Sequence, residues 1–127
     1  ANVYGNDKNR SIKKNVLGYI IDRLKCDEEV NLYNYGKFKR DFIFVDDVCD
    51  AINFLINNSN VNEIYNIGTG VITEFRTAIE YSKNLLGSKS KLNYLPNPSP
   101  DYYMNVDKLK NLGFESKISL EQGLKMI

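Results

Sequence analysis

The stretch from Lys39 to Ile56, "KRDFIFVDDVCDAINFLI", constrains the fold more than any other part of the chain. "DFIFV" is short, aromatic and β-branched, with the character of a buried strand. The apolar residues behind it, Val48, Ala51, Ile52 and Leu55, recur at helical spacing. A strand that passes into an amphipathic helix through an acidic pair, Asp46 and Asp47, is the building unit of layered α/β domains. The aspartates stand where a helix cap is expected.

The same alternation extends along the chain. "SIKKNVLGYIIDRLK", residues 11–25, places Ile12, Val16, Ile20 and Leu24 on one helical face with Leu17 and Ile21 beside them. "EVNLYNYG" reads as a short strand ending in a turn at Gly36, and "EIYNIG" as a compact strand stopping at Gly68. Thr73 is a candidate cap for a helix from Glu74 to Leu86, and "KLNYLP" is a strand closed by prolines. Asn105 or Asp107 opens a short helix that Gly113 ends, and Ser119 with Gln122 three residues on forms a capping-box pattern. The order predicts an α/β fold in one unit, without internal repeats or low-complexity linkers.

Composition removes several functions. The 127 residues are 43% hydrophobic, enough for one core. No apolar run reaches the length of a membrane span, and the N-terminus has no basic-then-apolar leader pattern, so a cytoplasmic protein is expected. A net charge of +1 with both signs scattered argues against nucleic-acid binding through a broad basic surface. There is no histidine, which removes imidazole bases, the commonest metal ligand and every Ser-His or Cys-His pairing. Cys26 and Cys49 have no metal-ligand spacing and are expected to be buried, reduced thiols. The chain begins at Ala1, and "ANVYG" has the look of a strand's tail without its beginning.

Two places have the chemistry of an anion site. "NIGTG" follows a strand and precedes a helix, yet it lacks the six-residue dinucleotide pattern, the lysine of the phosphate loop and the acid expected some twenty positions on, so turn chemistry is the better reading. Arg40 lies at the mouth of a strand beside a glycine-bearing turn, where its planar fork suits a diphosphate. An ion pair with Asp41 or Asp46 is the alternative, and residue types alone do not separate the two.

Four ordered segments carry a resemblance: "NVYG" at 2–5, "YNYGKFKRDFIFVDDVCDAI" at 33–52, "YNIGTG" at 65–70 and "LGFESKISLEQGL" at 112–124. Together they resemble the C-terminal part of the extended short-chain dehydrogenases, the NAD(P)-dependent nucleotide-sugar epimerases and dehydratases. The resemblance implies that residues 1–127 are the substrate-binding lobe, with elements that complete a Rossmann-type domain. In the family the cofactor fingerprint and the catalytic tyrosine and lysine lie upstream of the Asn-Val-Tyr-Gly turn, so NAD or NADP is expected in the full-length enzyme and not on this lobe alone.

Residue by residue, the resemblance makes Arg40 the group that grips the substrate diphosphate and Asp47 the aspartate that caps the next helix and holds the loop. Asn2 is similar to the asparagine that hydrogen-bonds the nucleotide sugar. Asn66 occupies a position that touches the nucleotide in some relatives. Asn31, Leu32 and Tyr33 correspond to the strand beside the base. For Asn2 and Asn66 a turn-stabilising side chain is the competing reading. Two departures stand out. Pro98 replaces a second arginine three residues before the acid corresponding to Asp101, and Asn34 replaces the first glycine of a Gly-x-Gly turn. The segment "YLPNPSPDYY" is similar to the heptose-nucleotide epimerase branch, where an aromatic such as Tyr102 or Tyr103 contacts the substrate.

The implied partners are a nucleotide-diphosphate sugar, a preceding N-terminal domain and, at full length, a second copy in a homodimer. The implied reaction passes a hydride from the sugar to NAD(P), after which the ketone is reduced again or loses water. Two other readings remain open at this level: a free-standing nucleotide-sugar-binding module, and a structural or interaction domain in which Arg40 makes only salt bridges.

Overall fold

In the computed structural model, residues 1–6, 15–58 and 62–127 are described. The central strand is β3 (Lys39–Phe44), flanked by β1 (Asn2–Tyr4) and β4 (Ile72–Glu74). β1 runs parallel to it, with Asn2 opposite Phe42 and Tyr4 opposite Phe44, whereas β4 is antiparallel, with Arg40 opposite Thr73. A second, two-stranded parallel sheet pairs β2 (Val30–Leu32) with β5 (Leu92–Tyr94). Around these lie α1 (Val16–Lys25), α2 (Val45–Asn58), α3 (Phe75–Leu86), α4 (Asp107–Leu112) and α5 (Leu120–Lys125). The α/β class read from the alternation is the class found.

The period-two geometry of β3 divides its side chains between two layers. Phe42 and Phe44 join the main core, where Leu17, Ile20 and Leu24 of α1, Phe75 and Ile79 of α3 and Leu124 of α5 meet Tyr4 of β1. Asp41 and Ile43 are buried on the opposite side. A smaller cluster lies between α2 and α4, built on Ala51, Leu109 and Phe114 with Phe54, Tyr65 and Ile67 against it.

The first helix is shorter than its pattern. Asn15 caps it, its Oδ1 accepting from the Gly18 N–H at 2.8 Å, while its Nδ2 donates to the Val3 carbonyl at 2.7 Å. Ile12 lies outside the described residues, and Val16 is exposed instead of joining the buried face of Leu17, Ile20, Ile21 and Leu24. The turn after β2 holds three consecutive residues at positive φ: Asn34 at 46°, Tyr35 at 53° and Gly36 at 71°. Asn34 thus takes the left-handed conformation that asparagine tolerates where the family's turn has glycine.

Four local expectations are corrected. "EIYNIG" does not form a strand. Its backbone is held by side chains instead, Lys108 Nζ donating to the Ile64 carbonyl at 2.9 Å and Asn66 Nδ2 to the Asn105 carbonyl at 3.0 Å. Thr73 is not a cap, because it lies within β4 opposite Arg40, and α3 starts after Glu74. Asp46 and Asp47 fall inside the first turn of α2, since the helix begins directly at Val45. The cysteines are free but exposed: Cys26 follows the last residue of α1, and Cys49 lies two positions from the buried Asp47, on another face of α2. The capping box at Ser119 forms as expected, with Ser119 Oγ accepting from the Gln122 N–H and Gln122 Oε1 from the Ser119 N–H.

Candidate functional site

Arg40 is the second residue of β3, and the strand points its side chain toward the Phe42 face. Its guanidinium stacks on the Phe38 ring, 4.5 Å from the centroid, and Phe38 in turn stacks on Phe75. Nη1 donates to the carbonyls of Lys39 at 2.9 Å and Pro100 at 2.6 Å. Partial burial lowers the guanidinium's pKa and nearby Asp101 opposes that shift, but an arginine keeps its charge in either case. The ion pairs considered from sequence do not form among the described residues, because β3 directs Asp41 to the other face, while Asp46 lies on the exposed first turn of α2. The cation is therefore fixed by carbonyls and an aromatic face, with no carboxylate hydrogen-bonded to it among the described residues.

The proline-rich segment is fastened to the same strand end. Asp101 Oδ1 accepts from the Lys39 N–H at 2.8 Å, and the Tyr102 N–H donates to the Lys39 carbonyl at 2.9 Å. Asp101 and Tyr102 are thereby brought beside Arg40, with Tyr102 forming a parallel bridge to it. Tyr102 and Tyr103 both extend into solvent.

Phe38 also forms part of the wall of a cleft of about 270 Å³ between α1, β2 and the turn that follows. Tyr19, Ile20 and Arg23 face it from α1, and Glu29, Asn31 and Tyr33 from the β2 side. Its aromatic lining with a few polar groups is that of small-molecule sites, and its volume lies just below their usual range. Asn31 and Tyr33 are exposed there, but the Leu32 side chain turns into the core, as alternation along a strand requires. At this strand Leu32 has only its backbone to offer, and its carbonyl accepts from the Leu95 N–H at 2.9 Å.

The remaining predicted residues are dispersed. Asn2 sits in β1, and its Nδ2 is buried without a hydrogen-bond partner. Asn66 ties its own segment to Asn105, a turn-holding role. Asp47 holds a loop, but one distant in sequence: its two carboxylate oxygens accept from the backbone N–H groups of Lys117 at 3.0 Å and Ile118 at 2.9 Å, just before the Ser119 cap.

Asp41 was not singled out by the sequence except as a possible ion-pair partner. It is buried, and its carboxylate accepts from the N–H groups of Thr69 and Gly70, at 3.0 Å each, and from the Thr69 hydroxyl at 2.5 Å. The glycine turn is thus an anion cradle whose anion is the protein's own. A Cβ on Gly68 would come within 2.5 Å of Asp41 Oδ2, and Gly70 has φ of 74°, so both glycines are required by this approach. The Thr69 and Gly70 N–H groups are engaged by Asp41, so they are not free to hold the phosphates of a dinucleotide. Among the described residues there is no cluster of side chains suited to a metal ion and no helix long and apolar enough to cross a membrane.

The model of the NAD dependent epimerase/dehydratase family matches residues 1–68. GDP-L-fucose synthase 1 of Arabidopsis thaliana is 33% identical, over 98% of this chain and 41% of its own length. The crystal structure of UDP-glucose 4-epimerase from Thermotoga maritima with UDP-glucose superposes with a TM-score of 0.84 at 34% identity, over 98% of this chain and 41% of that one. GDP-mannoheptose C4 reductase from Campylobacter jejuni, with NADP bound, gives 0.80 at 25% identity, over 98% and 45%. The chain spans less than half the length of these relatives. On these matches and on the fold, the chain belongs to the NAD dependent epimerase/dehydratase family.

Proposed function

We propose that residues 1–127 are the substrate-binding part of an NAD(P)-dependent enzyme that epimerises, dehydrates or reduces a nucleotide-linked sugar. In this reading the cofactor and the catalytic tyrosine and lysine belong to a preceding dinucleotide-binding domain of the whole protein. The part described here binds substrate without itself catalysing. The observation that carries the reading is the placement of Arg40 on Phe38, a residue that also lines the cleft between α1 and β2. A fixed guanidinium at the end of an aromatic cleft matches a ligand with a flat base at one end and a diphosphate next to it.

Each neighbour then has a role. Tyr19 and Tyr33 flank the base, Arg40 takes the diphosphate oxygens, and Asp101 holds the strand end that presents Arg40. Tyr102 and Tyr103, exposed in the segment bridged to Arg40, contact the sugar in this reading. Asn2 Nδ2, a buried donor without a partner, suits an acceptor on the substrate. Holding the diphosphate fixes the sugar relative to the reacting groups, which is the entropic contribution of a binding lobe.

The test is hydrogen–deuterium exchange on the full-length protein with and without a nucleoside-diphosphate sugar. Protection is expected over residues 19–33 and 38–40. Protection confined to other regions would contradict this placement of the substrate.

A further inference from the structure

Within the cleft, the polar groups on the β2 side have a definite donor and acceptor order. Asn93 of β5, opposite Asn31 in the parallel register, donates from Nδ2 to Asn31 Oδ1 at 3.0 Å and to Glu29 Oε2 at 3.3 Å. One amide thus orients both cleft residues. With its oxygen engaged, Asn31 has its own Nδ2 left as a donor. Glu29 has a carboxylate that meets no cation among the described residues. The neighbouring positive group is already matched: Arg23 pairs with Glu28 at 2.9 Å, donates from Nε to the Glu29 carbonyl at 2.8 Å and lies over the Tyr19 ring.

We infer that the cleft reads its base through Glu29 and Asn31 and selects guanine; the inference rests on the nucleotide reading of the cleft given above. Guanine has two adjacent donors, N1–H and the N2 amino group, beside the O6 acceptor. A carboxylate accepts both donors at once, and an amide N–H next to it meets O6. The other bases fail at the carboxylate. Uracil and thymine have one N–H between two carbonyls, so a carboxylate oxygen would face a carbonyl oxygen. Adenine and cytosine place a ring-nitrogen lone pair beside their amino group, directed at the same carboxylate. Selection thus comes from repulsion of the wrong bases as much as from bonds to the right one.

Calorimetric titration of the full-length protein with GDP, UDP, dTDP, CDP and ADP tests this. GDP is expected to bind at least about 10-fold more tightly than the others, the scale of a charged hydrogen bond. Glu29→Gln should remove that preference by weakening GDP and tightening UDP, whose carbonyls would no longer face a carboxylate, and Asn31→Asp should weaken GDP by setting a second carboxylate against O6. Both positions are exposed, so the variants are expected to fold. Equal or tighter binding of another diphosphate, or a GDP preference that survives Glu29→Gln, would overturn the assignment of guanine and leave the nucleotide reading standing. Absence of binding to all five would overturn both.

Discussion

The carboxylate of Asp41 and the backbone N–H of Thr69 are 3.0 Å apart, joining the central strand to a glycine turn 28 residues later. The bond belongs to a set of three donors on one buried acid, with Gly70 N–H and the Thr69 hydroxyl completing it. The donors of this glycine-rich turn, which has a phosphate-binding appearance, are thus engaged by the protein's own carboxylate.

Replacement of the buried Asp41 by alanine leaves the part-buried N–H groups of Thr69 and Gly70 without their acceptor. A loss of about 3 kcal/mol in unfolding free energy is expected, at the upper end for hydrogen bonds to a charged group. Urea denaturation of the variant measures it, and a loss below about 1 kcal/mol would show that the cradle is not a structural clamp.

Asn2 makes the opposite prediction. Its Nδ2 is buried and unpaired, so substitution by leucine, with the same number and branching of heavy atoms, removes a desolvated donor. Asn2→Leu is expected to raise stability by about 1 kcal/mol and to weaken nucleotide-sugar binding. Thermal unfolding and calorimetry of the same variant give both quantities. A variant less stable than the parent would show that the asparagine is a structural residue.

The pH dependence follows from Tyr4. Burial, then the nearby Asp47 and Glu121 carboxylates, push its phenol far above the usual tyrosine value. Between the value in an unfolded chain, about 10, and the higher folded one, only the native state keeps the proton. The contribution is therefore complete below about pH 10 and is lost as pH rises toward the folded value. Melting temperature should fall with pH above about 10, and more gradually in Tyr4→Phe. An unchanged alkaline slope in that variant would exclude Tyr4 as its source.

The turn between β2 and β3 also has a steric test. At Gly36, with φ of 71°, a Cβ would lie 2.7 Å from the Cβ of Arg76. Gly36→Ala should cost more than about 1 kcal/mol by urea denaturation, from left-handed backbone strain and the collision together. A neutral effect would mean that α3 can move away from the turn.

Much of this was legible in the sequence because it depends on local pattern. The strand at Lys39–Phe44, the helix after it, the Gly113 stop and the Ser119 capping box are all set by neighbours a few residues apart. The resemblance located Arg40, Asp101 and Tyr102, and the fold brings those three together. What remained illegible depends on distant partners. Ile72–Glu74 becomes a strand only because β3 lies beside it, while the more strand-like "EIYNIG" has no such neighbour among the described residues. Asp41 gave no local signal and Asp47 only that of a helix cap, since their hydrogen-bond partners are 28 and 70 residues away. The Glu29–Asn93–Asn31 arrangement likewise depends on the pairing of β2 with β5.

The most direct test of the central claim is the affinity of the full-length protein for a nucleoside diphosphate and for the corresponding nucleoside, measured by calorimetry before and after Arg40→Ala. If Arg40 grips the diphosphate, the variant should bind the diphosphate about 10- to 100-fold more weakly and the nucleoside unchanged. A diphosphate affinity untouched by the substitution would contradict the account and reduce Arg40 to a structural residue at the end of β3.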